Sequence, residues 1–234
     1  MARTSIFELA RLEIRLVAAN FAAARRALHA GCRAHSGLRA TQCLLRGDAM
    51  FRNFKPSEHI KSQTKVKSSE QRNVRTNVLE QFPSLEPHIE DLLPKKKDLI
   101  ICKCQDHITL VLDPAGEPIF FQSRTGPYIP TLRLLHRFPD VLPKFTVDRG
   151  AIRFVLSGAN IMAPGLTSAG GSMDTVEGTT VVGVFAEGKE HALAIGVATM
   201  ATEQILKENK GIAVENTHWL KDDLWNLGSL GDGS

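Results

Sequence analysis

The stretch from Val147 to Ser168, "VDRGAIRFVLSGANIMAPGLTS", restricts the fold more tightly than any other part of the chain. Asp148 is placed to cap the next two or three backbone donors, so a helix begins at Arg149. Gly158 stands where that helix would end in the left-handed conformation. Ile152 and Val155 lie on one face, and Arg149 and Arg153, at i and i+4, share the other. The result is an amphipathic turn and a half presenting two guanidiniums. No bulky side chain follows Gly158 until Ile161, so another backbone, of protein or RNA, can approach at Gly158 and Ala159.

Strands surround this element. "KFTV" before it, "ANIMAPGL" running into a turn, "TTVVGVFAE" and "HALAIGVATM" as a hairpin across "GKE", and "IAVENTHWL" at the end read as about five strands with short helices, a partly closed barrel. Met162 reads as core, and "TEQILKENKG" as a helix closed by Gly211. The preceding half begins with a polar, partly ordered segment, residues 50–67. A helix follows from Ser68, with Gln71 completing a capping box and Val74, Val78 and Phe82 as its stripe, and Pro83 stops it. Glu86 to Leu93 reads as a second helix, "LIICKC", "HITLVLD" and "PIFFQS" as a meander, and "PTLRLLHRF" as a helix with Pro130 in its first turn. "PDVLP" marks a boundary.

Residues 1–49 differ in kind. They hold eight arginines, no lysine and three acids, a charge of +5, whereas the remainder carries 21 bases against 22 acids. The basic balance therefore belongs to the leader, and an RNA reading of the body must rest on local patches. The Ala/Arg-rich leader has the composition of a transit peptide and equally that of a translated upstream region, and Met50 is the expected functional start. The longest apolar runs are far shorter than the roughly 20 residues that span a bilayer. Cys32, Cys43, Cys102 and Cys104 make no metal frame, since no second Cys or His pair stands at ligand spacing, and they read as reduced thiols. No metal or cofactor is expected.

The 147–168 stretch resembles the signature of the PUA domain, an RNA-binding module. Together with "LEQFPSLEP", "LPKK", "GPYIPTLRLLHRFP", "AEGKEHALAIGV", "NKGIAVENTHWL" and "LW", it is similar to the malignant T-cell amplified sequence family from Met50 nearly to the end. The resemblance implies an α+β protein: a small N-terminal α/β domain at 50–141, a PUA-type barrel at 142–222 and a C-terminal tail at 223–234, of which "GSLGDGS" reads as flexible. It implies a non-enzymatic, cytoplasmic translation factor that binds the 40S ribosomal subunit together with density-regulated protein and touches rRNA, with tRNA as a further contact. It would promote removal of deacylated tRNA after termination, re-initiation and non-canonical initiation. The loop "GSMDTVEGTT" departs from the family's aromatic-Pro-Ala stretch. The rival reading is an RNA-modification protein or its accessory subunit, but the segment before the boundary is small for such a catalytic domain and holds no catalytic Asp motif or nucleotide fingerprint.

The candidate RNA contacts are Arg149 and Arg153, whose forks match phosphate, with Ser157, Gly158, Ala159, Asn160 and Lys144. Lys95, Lys96, Lys97, Arg133 and Arg137 are candidates for rRNA, though each also fits a solvated face. Phe120 and Phe121 point to opposite faces of a strand, so one is core and the other a candidate partner surface. Thr131 fits a helix cap or a phosphosite, and His136, His191 and His218 lack a partner at motif spacing and read as structural.

Overall fold

The computed structural model describes residues 50–124 and 126–230, so the leader expected at 1–49 lies outside the described residues. The segment after Met50, expected to be only partly ordered, forms a short helix, α1 (Pro56–His59), and a strand, β1 (Ile60–Lys65). This strand lies antiparallel to β2 (Ile100–Cys104) at the edge of the first sheet. Only Ile60 is even partly buried, so its sequence carries no apolar alternation, and Lys61 and Lys65 blunt an edge that would otherwise invite pairing.

Helix α2 (Ser68–Gln81) forms where the Val74–Val78 spacing placed it, but without the capping box. Lys67 takes the cap position, and Gln71 is buried, its amide donating to the carbonyls of Pro94 (2.7 Å) and Lys97 (3.0 Å). After Pro83 the expected second helix splits into a 3-10 turn at Pro83–His88 and a single turn, α3 (Ile89–Leu92). The meander follows as β2, β3 (Ile108–Leu112) and β4 (Pro118–Ser123), and a two-residue strand, β5 (Ile129–Pro130), completes the antiparallel order β1-β2-β3-β4-β5. Asp113 shapes the β3–β4 turn, its Oδ1 accepting from the amides of Ala115 and Glu117 at 2.8 Å each. Pro130 belongs to β5, so α4 (Leu132–Arg137) is capped by Thr131, whose Oγ1 accepts from Leu134 N and donates to Pro118 O.

The second sheet runs β7-β11-β10-β9-β6-β8. In chain order it comprises β6 (Lys144–Val147), helix α5 (Ile152–Leu156), β7 (Ile161–Met162), the single turn α6 (Pro164–Thr167), β8 (Ser172–Met173), β9 (Val181–Ala186), β10 (Ala192–Ala198), helix α7 (Thr202–Glu208), β11 (Ile212–Trp219) and helix α8 (Asp223–Asn226). Only the β6–β9 pair is parallel. The sheet curls around Phe145, Val147, Val155, Ile161, Val182, Val184 and Val214, and α6 packs on β6, β7 and β8, bridging the two edge strands, which gives the expected partly closed barrel. Asn209, at φ +43°, terminates α7 two residues before the expected Gly211. Met162 is half-exposed, because in an edge strand that turns Ile161 inward its neighbour faces out.

The two sheets share a core. Leu135 and Leu142 pack in one cluster with Phe185, Ala192 and Ile195 of the barrel, which is why β9 and β10 are apolar on both faces. The face of the first sheet that carries Phe121 is closed by Phe51, with ring centroids 5.1 Å from Phe121, 5.7 Å from Phe54 and 5.9 Å from His218 of β11. In the C-terminal tail Leu224 and Leu227 are buried, and within the stretch expected to be flexible Leu230 N donates to Gly116 O. Among the described residues, no helix is long and apolar enough to cross a membrane.

Candidate nucleic-acid interface

Asp148 starts the site as its chemistry requires. Its Oδ1 accepts from Ala151 N at 2.9 Å, while its own amide donates to Gly165 O, tying the cap to α6. Because this turn consumes residues 149–151, regular helix begins only at Ile152, so Arg149 and Arg153 do not share one helical face as expected. Each guanidinium has a different neighbour. Arg149 is 81% exposed, with Nε 3.5 Å from a carboxylate oxygen of Glu187. Arg153 is exposed and lies over the ring of Phe154, 4.6 Å from its centroid. Val155 alone carries the fully buried side of the helix, and Ile152 is half-buried.

Gly158 has the left-handed conformation predicted for it, φ +81°, but the close approach it permits is already filled. An added Cβ would stand 2.6 Å from Cζ2 of Trp219, so the indole is what Gly158 admits. Asn160 turns inward and its Oδ1 accepts from Asn216 N (3.0 Å). Asn216, itself buried, donates its amide to the carbonyls of Val155 and Ala159. Gly158, Ala159 and Asn160 thus brace the loop through Trp219 and Asn216, and Ser157 is the exposed member of the expected contact stretch. Its Oγ donates to Phe154 O, and its carbonyl accepts from the guanidinium of Arg52 at 2.7 Å. Arg52 is a member of this basic surface that spacing could not reveal, because 105 residues separate it from Ser157. The buried Phe51 and Phe54 on either side of it are the one signal that this segment is fastened down.

The other candidates are dispersed. Lys144 pairs with Asp140 (2.6 Å) and lies over the Phe185 ring. Lys95 pairs with Glu90, and Lys95 together with Arg75 holds the Glu90 carboxyl below its ordinary pKa, while Lys96 and Lys97 are exposed. Arg137 is exposed beside Phe138. Arg133 faces inward, pairing with Glu117 (3.0 Å), donating to Trp225 O (2.8 Å) and covering the Trp225 ring, so its fork is already engaged. Phe120 and Phe121 are both fully buried, contrary to the expectation that one would be open: Phe120 stacks on Phe82, and Phe121 is covered by Phe51 and His218. His218 has a carboxylate partner after all, Asp222 at 2.6 Å, but both are buried and Asp222 also caps α8 through Trp225 N. Cys102 and Cys104 are buried free thiols, pushed up to about 11 and about 12 by burial. Among the described residues, no group of three His, Cys, Asp or Glu is placed to hold a metal.

Two family models match, a Pre-PUA-like domain over residues 54–139 and a PUA domain over 143–220. The malignant T-cell-amplified sequence 1 homolog of Drosophila melanogaster is 53% identical over 176 residues, covering 75% of this chain and 97% of the relative. The human malignant T-cell-amplified sequence 2 is 47% identical and translation machinery-associated protein 20 of Eremothecium gossypii 49%, each covering 76% of this chain and 98% of the relative. Among solved structures, a hypothetical protein from Pyrococcus horikoshii aligns with a TM-score of 0.58 at 23% identity, and a conserved PUA domain protein from Thermoplasma acidophilum with 0.53 at 22%. Each alignment covers 70% of this chain and 98% of that structure, and at these identities the likeness is one of fold.

Proposed function

The chain belongs to the malignant T-cell-amplified sequence family, and on that premise we propose that it is a non-enzymatic RNA-binding factor of the translation apparatus. The barrel half grips rRNA of the 40S subunit through the basic loop, and the first half engages density-regulated protein. Together the pair releases deacylated tRNA after termination and supports re-initiation and non-canonical initiation in the cytoplasm.

The observation that carries this reading is that two exposed arginines, Arg149 and Arg153, stand on a short helix and its leading turn, beside a loop braced from beneath by Trp219 and Asn216, with a third, Arg52, hydrogen-bonded to Ser157 O of that loop. A braced loop fixes the backbone beside the guanidiniums, which removes the cost of ordering that backbone at binding. No group on this surface is arranged as a nucleophile with a base, so its chemistry is positioning. Arg149→Ala with Arg153→Ala is expected to weaken co-sedimentation with 40S subunits and to flatten its salt slope by roughly one to two units. Unchanged co-sedimentation across a salt series would remove this face from the grip.

A further inference from the structure

We propose that Phe154 is a stacking platform for an unpaired base, so that this face takes single-stranded RNA in preference to a duplex. The proposal rests on the RNA-binding reading above and adds the class of RNA. Among the described residues Phe154 is the one Phe, Tyr or Trp that is more than half exposed, at 51%. Its exposure is not a packing default: Val155 supplies the fully buried side of α5, and every other phenylalanine of the described chain is buried or partly so.

The ring stands within the basic surface. Arg153 precedes it in the chain and holds its guanidinium 4.6 Å from the ring centroid, and Arg52 reaches Ser157 three residues on. Phe154 O accepts from Ser157 Oγ, Ser157 N and Ala159 N, so the backbone beneath the ring is fixed to the braced loop. An exposed aromatic ring with a guanidinium beside it meets both demands of a single strand, a π-surface for the base and a fork for a neighbouring phosphate. A base within a duplex has both faces covered by its neighbours and can use only the forks. The ring stays 51% exposed with the Arg153 guanidinium beside it.

The test uses the full chain and two labelled RNAs of equal phosphate number, an unstructured oligoribonucleotide and a hairpin duplex, with affinity read by fluorescence anisotropy over a salt series. Phe154→Ala is expected to lower affinity for the single strand by about 5- to 150-fold, the loss of one base–aromatic stack, with the salt slope and duplex affinity unchanged. Phe154→Trp retains the single-strand affinity. Equal loss on both RNAs, or no recovery with Trp, overturns the proposal and makes the ring a support for Arg153. Unchanged RNA affinity in Phe154→Ala, alongside a salt slope flattened by Arg149→Ala with Arg153→Ala, also overturns it and assigns the ring to a protein interface. Arginine variants that leave the salt slope unmoved sink the RNA reading of this face instead, and the stacking proposal with it.

Discussion

Gly158→Ala tests the bracing of the loop most directly. The new methyl would lie 2.6 Å from Cζ2 and 2.9 Å from Cη2 of Trp219, well inside contact distance, on a residue held at φ +81°. Trp219 cannot retreat: it is 4% exposed, and its amide is held by Asp222 at 3.1 Å. Holding a non-glycine residue in the left-handed region costs about 1–3 kcal/mol. Overpacking a filled site costs about 1–3 kcal/mol more. The sum, about 2–6 kcal/mol, corresponds to a fall in Tm of roughly 4–24 °C for a folded unit of this size. Trp219→Phe withdraws the distal ring atoms and leaves a gap worth about 1–3 kcal/mol on its own. It also makes room for the methyl, so the double variant should lose less than the sum of the singles by about 1–2 kcal/mol. The φ strain stays in both backgrounds. Urea and thermal unfolding of the four proteins, followed by near-UV circular dichroism, gives the cycle. A Gly158→Ala cost below about 0.5 kcal/mol, or strict additivity with Trp219→Phe, would refute the packing argument.

Two further outcomes follow from the same geometry. If Arg149 grips phosphate as proposed, its partner Glu187 is a competitor, so Glu187→Gln should raise RNA affinity about 1.5- to 5-fold, as befits an exposed pair, and the gain should vanish in an Arg149→Ala background. Burial raises the thiol pKa of Cys102 to about 11 and of Cys104 to about 12, so the folded chain keeps both protons where the unfolded chain has lost them. Their contribution to stability is full below the ordinary thiol range and falls as pH rises from about 9 toward those values. Mass spectrometry after iodoacetamide at pH 8 should find both thiols unmodified in the folded protein and alkylated in urea.

The parts of this fold that can be read along the chain are those whose cause is local. Asp148 capping its own turn, Gly158 at positive φ and the β-branched runs of β2, β3 and β4 act over a few residues. What was hidden depends on distant partners. β1 has no apolar alternation because it lies on an edge, and Phe120 and Phe121 are both buried because a segment some 70 residues earlier covers the second face. Arg133 and Arg137 have the same i,i+4 spacing as Arg149 and Arg153, yet Arg133 is engaged by Glu117 and Trp225 while Arg149 and Arg153 stay exposed. Spacing therefore identified two arginine pairs but could not say that Arg149 precedes the helix, or which arginines face solvent. Gln71 satisfies a capping-box pattern and instead ties the loop at Pro94 and Lys97, since a buried amide with two carbonyls in reach outcompetes a solvent-facing cap.

The seam between Phe51 and α8 has a consequence for how the protein is made. Asp223 N donates to Phe51 O, and the Asp223 carboxylate accepts from Phe54 N across 169 residues, so the first described residues are fastened by nearly the last. During synthesis the face of the first sheet that carries Phe121 stays uncovered until β11 and α8 have left the ribosome. At roughly 5–20 residues per second that is an interval of about 5–20 s in which an aromatic surface waits for a lid still being translated. A nascent chain built this way closes last at the seam between Phe51 and α8, and a chain truncated before Asp223 would leave that surface bare.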